Sequence, residues 1–598
     1  MQTAQGKLSL SWTTIDRLIA IALALAIAFA VFGFGIANPK NISWIQGDTV
    51  TTYFGWDAYR HDPNHFYPIA TDRTSYPLPM PIGMFDSIPL VAFVMKFFAP
   101  ILPQKFQYLG PVFIIGVALQ ALLGWALLRE ASPGKSGLAY RTSLILGTLF
   151  LTTAPALFNR FYATHVAISQ HWPMLLALLI YLRSYRLTYW QTIRDFSLTT
   201  FITSGLNPYL MVMVVMIYGG FIVKCLIERA LEWPKYVLLM IPPLVGIVGL
   251  LTFGFLERNS GGVFSAAGYG YFSANFLTLI DPSPQSFGSQ FIPDLHVHGP
   301  GQYEGFGYLG LGMICLVVAS AVIGFTRASA PKGNRIFLPL FAVMLVSLLF
   351  AMSNFMQFGT YVVFYPLPSA VETLLEHFRS SGRFIWVLVY TLMFVAIGGI
   401  IRRLEPRRAL ALLALGAAVQ IADVAGPMAQ LHRNFANRVV VAGIAERFVD
   451  PVYRGLGAAH DKLLFVPPWQ CRLWNRKREE YPQPSFIKFS NLAMESNLPT
   501  NSFYGGRTPV IQGFYHCEVF LRKLAEHPAE RRTAYVLTPR MFALFGSHVA
   551  QTHSCDFADG MFLCRGDRPS PGLTPRAVQA MPMAQAAQAA DLVNRNKP

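Results

Sequence analysis

The chain has 598 residues, 53% of them hydrophobic and 13% charged, with a mean hydropathy of +0.40. Soluble domains carry about 25% charged residues, so a soluble multidomain enzyme and a disordered chain are both excluded. Lys and Arg number 48 against 31 Asp and Glu, and the formal charge of +17 raises a nucleic-acid partner that the placement of the charges then removes.

Arg17 stands at the edge of an apolar run over 18–36 that has no small-residue cleavage site, which predicts a membrane span rather than a removed signal. Runs near 16–38, 110–128, 142–158, 166–183, 195–205, 207–225, 236–256, 305–326, 336–354, 384–401 and 409–425 predict a polytopic α-helical membrane protein with about eleven crossings. The stretch 195–225 is too long for one helix across a ~30 Å core. Asn207-Pro208 divides it into two short or tilted halves; a single kinked helix is the alternative, and it would change the parity of every later segment. The stretch 86–102 carries Pro89 and Lys96 and is expected to lie at the membrane surface or re-enter it, the alternative being a twelfth crossing.

The short loops fix an orientation. Arg129, Lys135, Arg141, Arg183, Arg186, Arg194, Arg229, Lys235, Arg327, Lys332, Arg335 and Arg402 to Arg408 all fall on one side if there are eleven crossings. The positive-inside rule makes that side the cytoplasm, with the N-terminus. The excess positive charge is then topological, and no basic domain remains for nucleic acid. The other side holds 39–109, 257–304, 355–383 and 426–598. The expected organisation is a membrane domain over 1–428 with 39–109 as its first outer loop, an extracytoplasmic α/β domain over 429–568, and a disordered tail over 569–598 rich in Ala, Gln and Pro.

In the α/β domain, strands are predicted at Lys462–Val466 and Thr533–Leu537, helices over 510–527 and 540–548, and a hairpin over 552–565 around Asp559-Gly560. Cys225 and Cys315 lie in membrane helices. Cys471, Cys517, Cys555 and Cys564 all lie in the α/β domain, an even number that fits an oxidising compartment. Cys555 and Cys564 flank the hairpin turn, which leaves Cys471 with Cys517. Four cysteines allow three connectivities, and zinc is the alternative, although no CxxC pair favours it.

The first outer loop carries the acids of interest. Asp48 follows the first span by about ten residues, beside Tyr53, Phe54, Gly55, Trp56, Tyr59 and Arg60. A carboxylate at a membrane surface among aromatics suits a general base, with a turn or cap as the alternative role. Asp86 precedes Ser87, Ile88 and Pro89 and is either a second acid or a helix cap. Arg379 and Arg383 flank a Ser-Ser-Gly turn before the helix at 384 and are the first choice for holding a phosphate; Arg160 and Lys96 are the second. Headgroup anchoring is the alternative for Arg383. His165 and His171 line a cavity or sit at the interface. Trp56, Tyr59, Arg60, Tyr271, Gln302, Tyr303 and Glu304 offer the rings, amide and carboxylate that suit a sugar. His296 and His298 with Asp281 or Asp294 are the one candidate for a divalent metal, and no cofactor is otherwise expected.

An acid soon after the first helix in a long outer loop resembles the GT-C glycosyltransferases, which draw on polyprenyl-phosphate-linked sugars. The blocks Gly47-Asp48, Phe54-Gly55-Trp56, Tyr59-Arg60, Asp86 to Leu90 and Arg379 to Arg383 also resemble a bacterial polytopic membrane family of similar size with no assigned reaction. The GT-C resemblance implies Asp48 as catalytic base, Asp86 as a second acid, a lipid-phosphate donor and no obligatory metal. The expected activity is sugar transfer to a glycan, lipid or protein acceptor in the periplasm, in the bacterial inner membrane. A lipid-linked glycan flippase and a non-catalytic envelope assembly subunit are the alternatives; few polar residues lie deep in the helices, which disfavours transport.

Overall fold

The computed structural model describes residues 11–228, 232–256, 263–264, 269–282, 288–295, 299, 301–326, 334–439, 444, 446–474, 485–505 and 508–595. The chain forms two compact units. The first comprises 1–41, 107–249 and 267–440; the second comprises 42–106, 250–266 and 441–598.

The first unit is helical. By length and composition, seven helices of the described residues are able to cross a membrane: Trp12–Phe32, Leu109–Ala131, Leu138–Tyr162, Pro208–Glu228, Pro234–Thr252, Ser381–Arg403 and Pro406–Ala436. The other four apolar runs also hold helix, as Trp172–Arg183, Tyr189–Ser204, Leu311–Thr326 and Phe337–Met352. The break at 207–208 is real. Pro208 opens its helix, where its missing N–H leaves no ladder bond unmade, and Asn207 Oδ1 accepts from the Tyr209 N–H at 2.9 Å. Thr188 and Gln191 cap the preceding helix reciprocally. Asp16, buried in the first helix, takes the Arg141 guanidinium in a fork (Nη2 to Oδ1 2.7 Å, Nε to Oδ2 2.9 Å). Arg17 and Arg129 lie 4.8 and 5.2 Å from the Trp125 ring, the basic and aromatic pairing of a membrane interface.

The second unit is α/β. Its five-stranded sheet runs in the spatial order Gly572–Leu573, Ser554–Ala558, Met561–Arg565, Thr533–Leu537, Lys462–Val466. The last two strands are parallel, with Leu464 opposite Tyr535, and Met561–Arg565 is antiparallel to both of its neighbours. The hairpin turns on Asp559 and Gly560, whose φ values of 50° and 80° are the left-handed pair that a two-residue turn requires. Cys555 and Cys564 face each other across that hairpin and form a disulfide; Cys471 and Cys517 form the second. The expected disordered tail is corrected. Pro575–Arg595 is a helix, and Ala577, Ala580 and Ala584 are buried against Phe542, Val549 and Phe562. Their i, i+3, i+7 spacing puts three small side chains on one face, which lets the helix backbone sit close to the core.

The first connecting segment folds with this domain. Phe54, Met80, Met84 and Phe85 share one core with Phe448, Phe465, Phe489 and Phe503. Tyr76 N–H donates to the Thr500 carbonyl at 2.8 Å, Thr500 N–H to the Arg73 carbonyl at 2.9 Å, and Ser75 Oγ lies 2.8 Å from His516 Nε2. Within 86–102 the helix Pro89–Lys96 has eight residues, about 12 Å at 1.5 Å per residue, too short to cross a ~30 Å core.

Candidate functional site

The sequence-chosen residues fall into two groups, one in each unit.

In the first unit nine of them converge. Arg160 lies in the last turn of Pro155–Tyr162, Glu304 in the short helix Gln302–Gly305, and Arg383 in Ser381–Phe384, which leads into Ile385–Arg403. Gly382 makes the meeting possible: a Cβ there would lie 2.8 Å from Gly305 Cα and 2.8 Å from the Phe272 carbonyl oxygen. With the two backbones in contact, Arg383 Nε donates to Glu304 Oε2 at 2.7 Å, and Arg160 Nη1 meets the same oxygen at 2.9 Å. Arg160 Nη2 also donates to the carbonyls of Tyr303 and Glu304, at 3.0 and 2.9 Å. All three side chains are buried. Burial pushes the Glu304 carboxyl up, but Arg160 and then Arg383 more than reverse it and hold it well below the usual carboxylate range. Two guanidiniums thus converge on one carboxylate in a desolvated place, at helix ends rather than mid-span.

Aromatic rings frame the cluster. The Arg160 guanidinium lies 5.3 Å from the Trp386 ring and that of Arg383 4.7 Å from Tyr209. His171 packs against Trp386 at a tilt of 35° with centroids 4.6 Å apart, and its Nδ1 is 2.9 Å from the Tyr390 hydroxyl. His165 N–H donates to the Arg160 carbonyl at 3.1 Å. Phe272 gathers the rest: Tyr271 and Tyr303 pack edge-on against it at 4.7 and 6.1 Å, and Arg379 lies 5.6 Å above it. Gln302 is buried beside Gln357. Tyr209, Phe272, Trp386 and Tyr390 were not chosen from the sequence as ligands. Tyr209 follows the Asn207-Pro208 break, and Trp386 lies three residues beyond Arg383.

In the second unit Asp48 is the first residue of Asp48–Arg60 and is half-buried; Gly47, at φ 54°, precedes it. Every residue from Thr49 to Arg60 is buried, so this is an interior helix. Asp86 is also half-buried. It does not cap the next helix; Ile88 holds that position. Asp86 and Ile88 have φ of 53° and 48°, rare for any side chain and rarest for a β-branched one, so this turn stores strain. Ser87 between them donates to the Thr52 carbonyl at 2.7 Å, one helical turn beyond Asp48. Gly55 permits the approach, since a Cβ there would lie 2.8 Å from Phe85 Cβ. Both acids thus flank the opening turns of one helix.

The other residues chosen in this loop bond to backbone carbonyls. Trp56 Nε1 donates to the Phe106 carbonyl (3.1 Å), Tyr59 hydroxyl to that of Phe66 (2.6 Å), and Arg60 Nη2 to that of Pro103 (2.8 Å). Lys96 gives its three donors to the carbonyls of Tyr59 (2.7 Å), Asp62 (3.0 Å) and His65, with its ammonium 4.0 Å from the Tyr59 ring. That arrangement leaves the ammonium no N–H for a phosphate. Burial lowers its pKa to about 8, against the pull of Asp62.

Among the described residues one group has metal-ligand spacing: Asp62, His65 and Asp72, with one donor atom of each within 4.8 Å of the others. Asp62 already accepts from the Asn64 and His65 N–H groups at 2.8 and 3.2 Å, as a turn staple does. His296 and His298 lie outside the described residues.

The description "Domain of unknown function (DUF6311)" matches residues 21–425, and "DUF6311 C-terminal domain" matches residues 452–566. No curated protein matches the chain. The two matches together span most of the sequence, and the chain belongs to the DUF6311 family.

Proposed function

We propose that the protein is a GT-C-type membrane glycosyltransferase that moves one sugar from a polyprenyl-phosphate carrier to an acceptor beyond the cytoplasmic membrane. The observation that carries this reading is the buried Arg160–Glu304–Arg383 cluster, in which two guanidiniums converge on one carboxylate. As the anomeric carbon leaves the lipid phosphate, that phosphate gains negative charge, and fixed guanidiniums in a water-poor site stabilise it far better than they would in water. Arg379 adds a third guanidinium beside Phe272.

The GT-C resemblance supplies the base: Asp48 takes the proton of the acceptor hydroxyl as that oxygen bonds the anomeric carbon and the lipid phosphate departs, so the sugar inverts. Asp86 orients acceptor or base. In this reading all eleven apolar runs cross the membrane, the Arg and Lys loops face the cytoplasm, and the disulfide-bearing unit faces the oxidising side of a bacterial inner membrane. The acceptor is a surface glycan, a lipid or a protein.

The test is turnover of radiolabelled undecaprenyl-phosphate hexose by the full chain in lipid nanodiscs, with short glycans as acceptors. Asp48→Asn is expected to lower turnover by about 10²–10⁴-fold with donor binding and thermal midpoint retained. Turnover that survives the substitution removes Asp48 as base. A wild-type protein that binds the lipid donor yet releases no sugar removes the transferase reading and favours a carrier for lipid-linked glycan.

A further inference from the structure

The second unit contains a half-open cavity of about 300 Å³, at the lower end of small-ligand sites. Four separate stretches of chain build it. Its floor is buried: Tyr53 and Asp57 from Asp48–Arg60, Asn491 from Phe486–Ser496, and Ile444. Tyr53, Asp57 and His61 follow at i, i+4 and i+8, one stripe of the helix. His61 Nδ1 lies 2.9 Å from the Asp57 carbonyl and 3.6 Å from its carboxylate. The rim is exposed and carries Lys105, Arg447 and Glu495.

The lining excludes most ligand classes. A phosphate would meet the Asp57 carboxylate on the floor, with the cations only at the rim. A bound divalent ion needs three converging donors, and among the described residues Asp57, His61 and Glu495 form no such group. A hydrocarbon would shut water away from the Asp57 carboxylate and the Asn491 amide, whose present contacts are long, 3.6 Å to His61 Nδ1 and 3.4 Å to the Glu446 carbonyl, and that is costly. A polyol satisfies all of them. Adjacent hydroxyls donate as a pair to a carboxylate, an amide both gives and receives, and Ile444 and Met494 cover a C–H face.

We propose that this cavity is a saccharide-binding site that takes roughly one or two neutral pyranose units of a glycan, Asp57 and Asn491 gripping the hydroxyls and Glu495 closing the rim. The role of that glycan as the acceptor of transfer rests on the transferase reading; its binding does not.

The experiment titrates the full chain in nanodiscs with methyl glycosides of glucose, galactose, mannose and N-acetylglucosamine and with their trisaccharides. Saturation-transfer NMR and calorimetry read the binding, and inorganic phosphate is the charged control. At least one glycoside binds, Asp57→Asn weakens it tenfold or more, and the exposed Glu495→Gln weakens it two- to threefold with an unchanged thermal midpoint. Binding of no glycoside, binding of phosphate in their place, or wild-type affinity in both variants overturns the proposal. Glycoside binding without any sugar transfer leaves this site standing and sinks the transferase reading. Transfer without glycoside binding does the reverse.

Discussion

The two units bury polar side chains to opposite effect. In the first, Arg160 and Arg383 converge on one carboxylate, that of Glu304. In the second, Lys96 is equally buried, yet all three of its donors end on backbone carbonyls of its own loop. A cation with every donor saturated holds a loop in shape. Two cations drawn to one anion gather positive charge at a single point. Burial alone therefore does not mark a site; the balance of charge and donors within the buried group does.

The first way to break this contrast is to remove its centre. Glu304→Ala takes from two guanidiniums the carboxylate they share in a desolvated place, and such a loss costs about 3–5 kcal/mol. A fall of the thermal midpoint in detergent is expected, with a smaller fall for Glu304→Gln; an unmoved midpoint would mean that solvent or lipid phosphate already compensates the arginines. The second unit should respond to a covalent cut instead. Cys517→Ala opens a link between residues 46 apart, with an expected loss of about 2–5 kcal/mol under non-reducing conditions and none in excess reductant.

Acid sharpens the comparison, because it acts on the second unit through His516. Burial pushes that imidazole down to about 3, against the bond to Ser75. Unfolded, it takes a proton near 6.5, so between pH 6.5 and 3 the unfolded chain binds the extra proton. Stability is fully present above pH 6.5 and falls by roughly 1.4 kcal/mol per pH unit below it. His460 and His553, also lowered by burial, act in the same direction. His516→Gln should flatten the midpoint-against-pH curve by one proton's worth; an unaltered slope would assign the acid sensitivity elsewhere. The smallest effect expected is at a helix start. Thr538 Oγ1 accepts from the Met541 N–H at 3.3 Å, and Thr538→Ala should cost about 1 kcal/mol in chemical denaturation.

Much of the fold is legible in local pattern. Apolar runs give the helices, Asn207-Pro208 gives the break, and Asp559-Gly560 gives the hairpin and with it the Cys555–Cys564 pair. The tail was misread because Ala, Gln and Pro suggest disorder by composition, whereas the packing of Ala577, Ala580 and Ala584 depends on a surface elsewhere in the chain. The candidate site was half legible. Arg160, Glu304 and Arg383 stand out as charges near span ends, but their pairing spans 144 and 79 residues of sequence. Lys96, Trp56, Tyr59 and Arg60 look like ligands in the sequence, and only the tertiary structure gives each of them a carbonyl partner.

The family descriptions divide the chain between 425 and 452, following the change in composition. The structure divides it otherwise, with 42–106 folded into the unit that contains 441–598. The sequence by itself settled which segments are apolar enough for a bilayer, which turns are tight and that Cys555 and Cys564 flank one of them, because those depend on neighbours a few residues away. Tertiary structure alone decided that Phe54, Met84 and Phe85 share a core with Phe465 and Phe503, and that two distant arginines meet one glutamate. Burial and charge balance are properties of what surrounds a side chain, and no linear pattern records that.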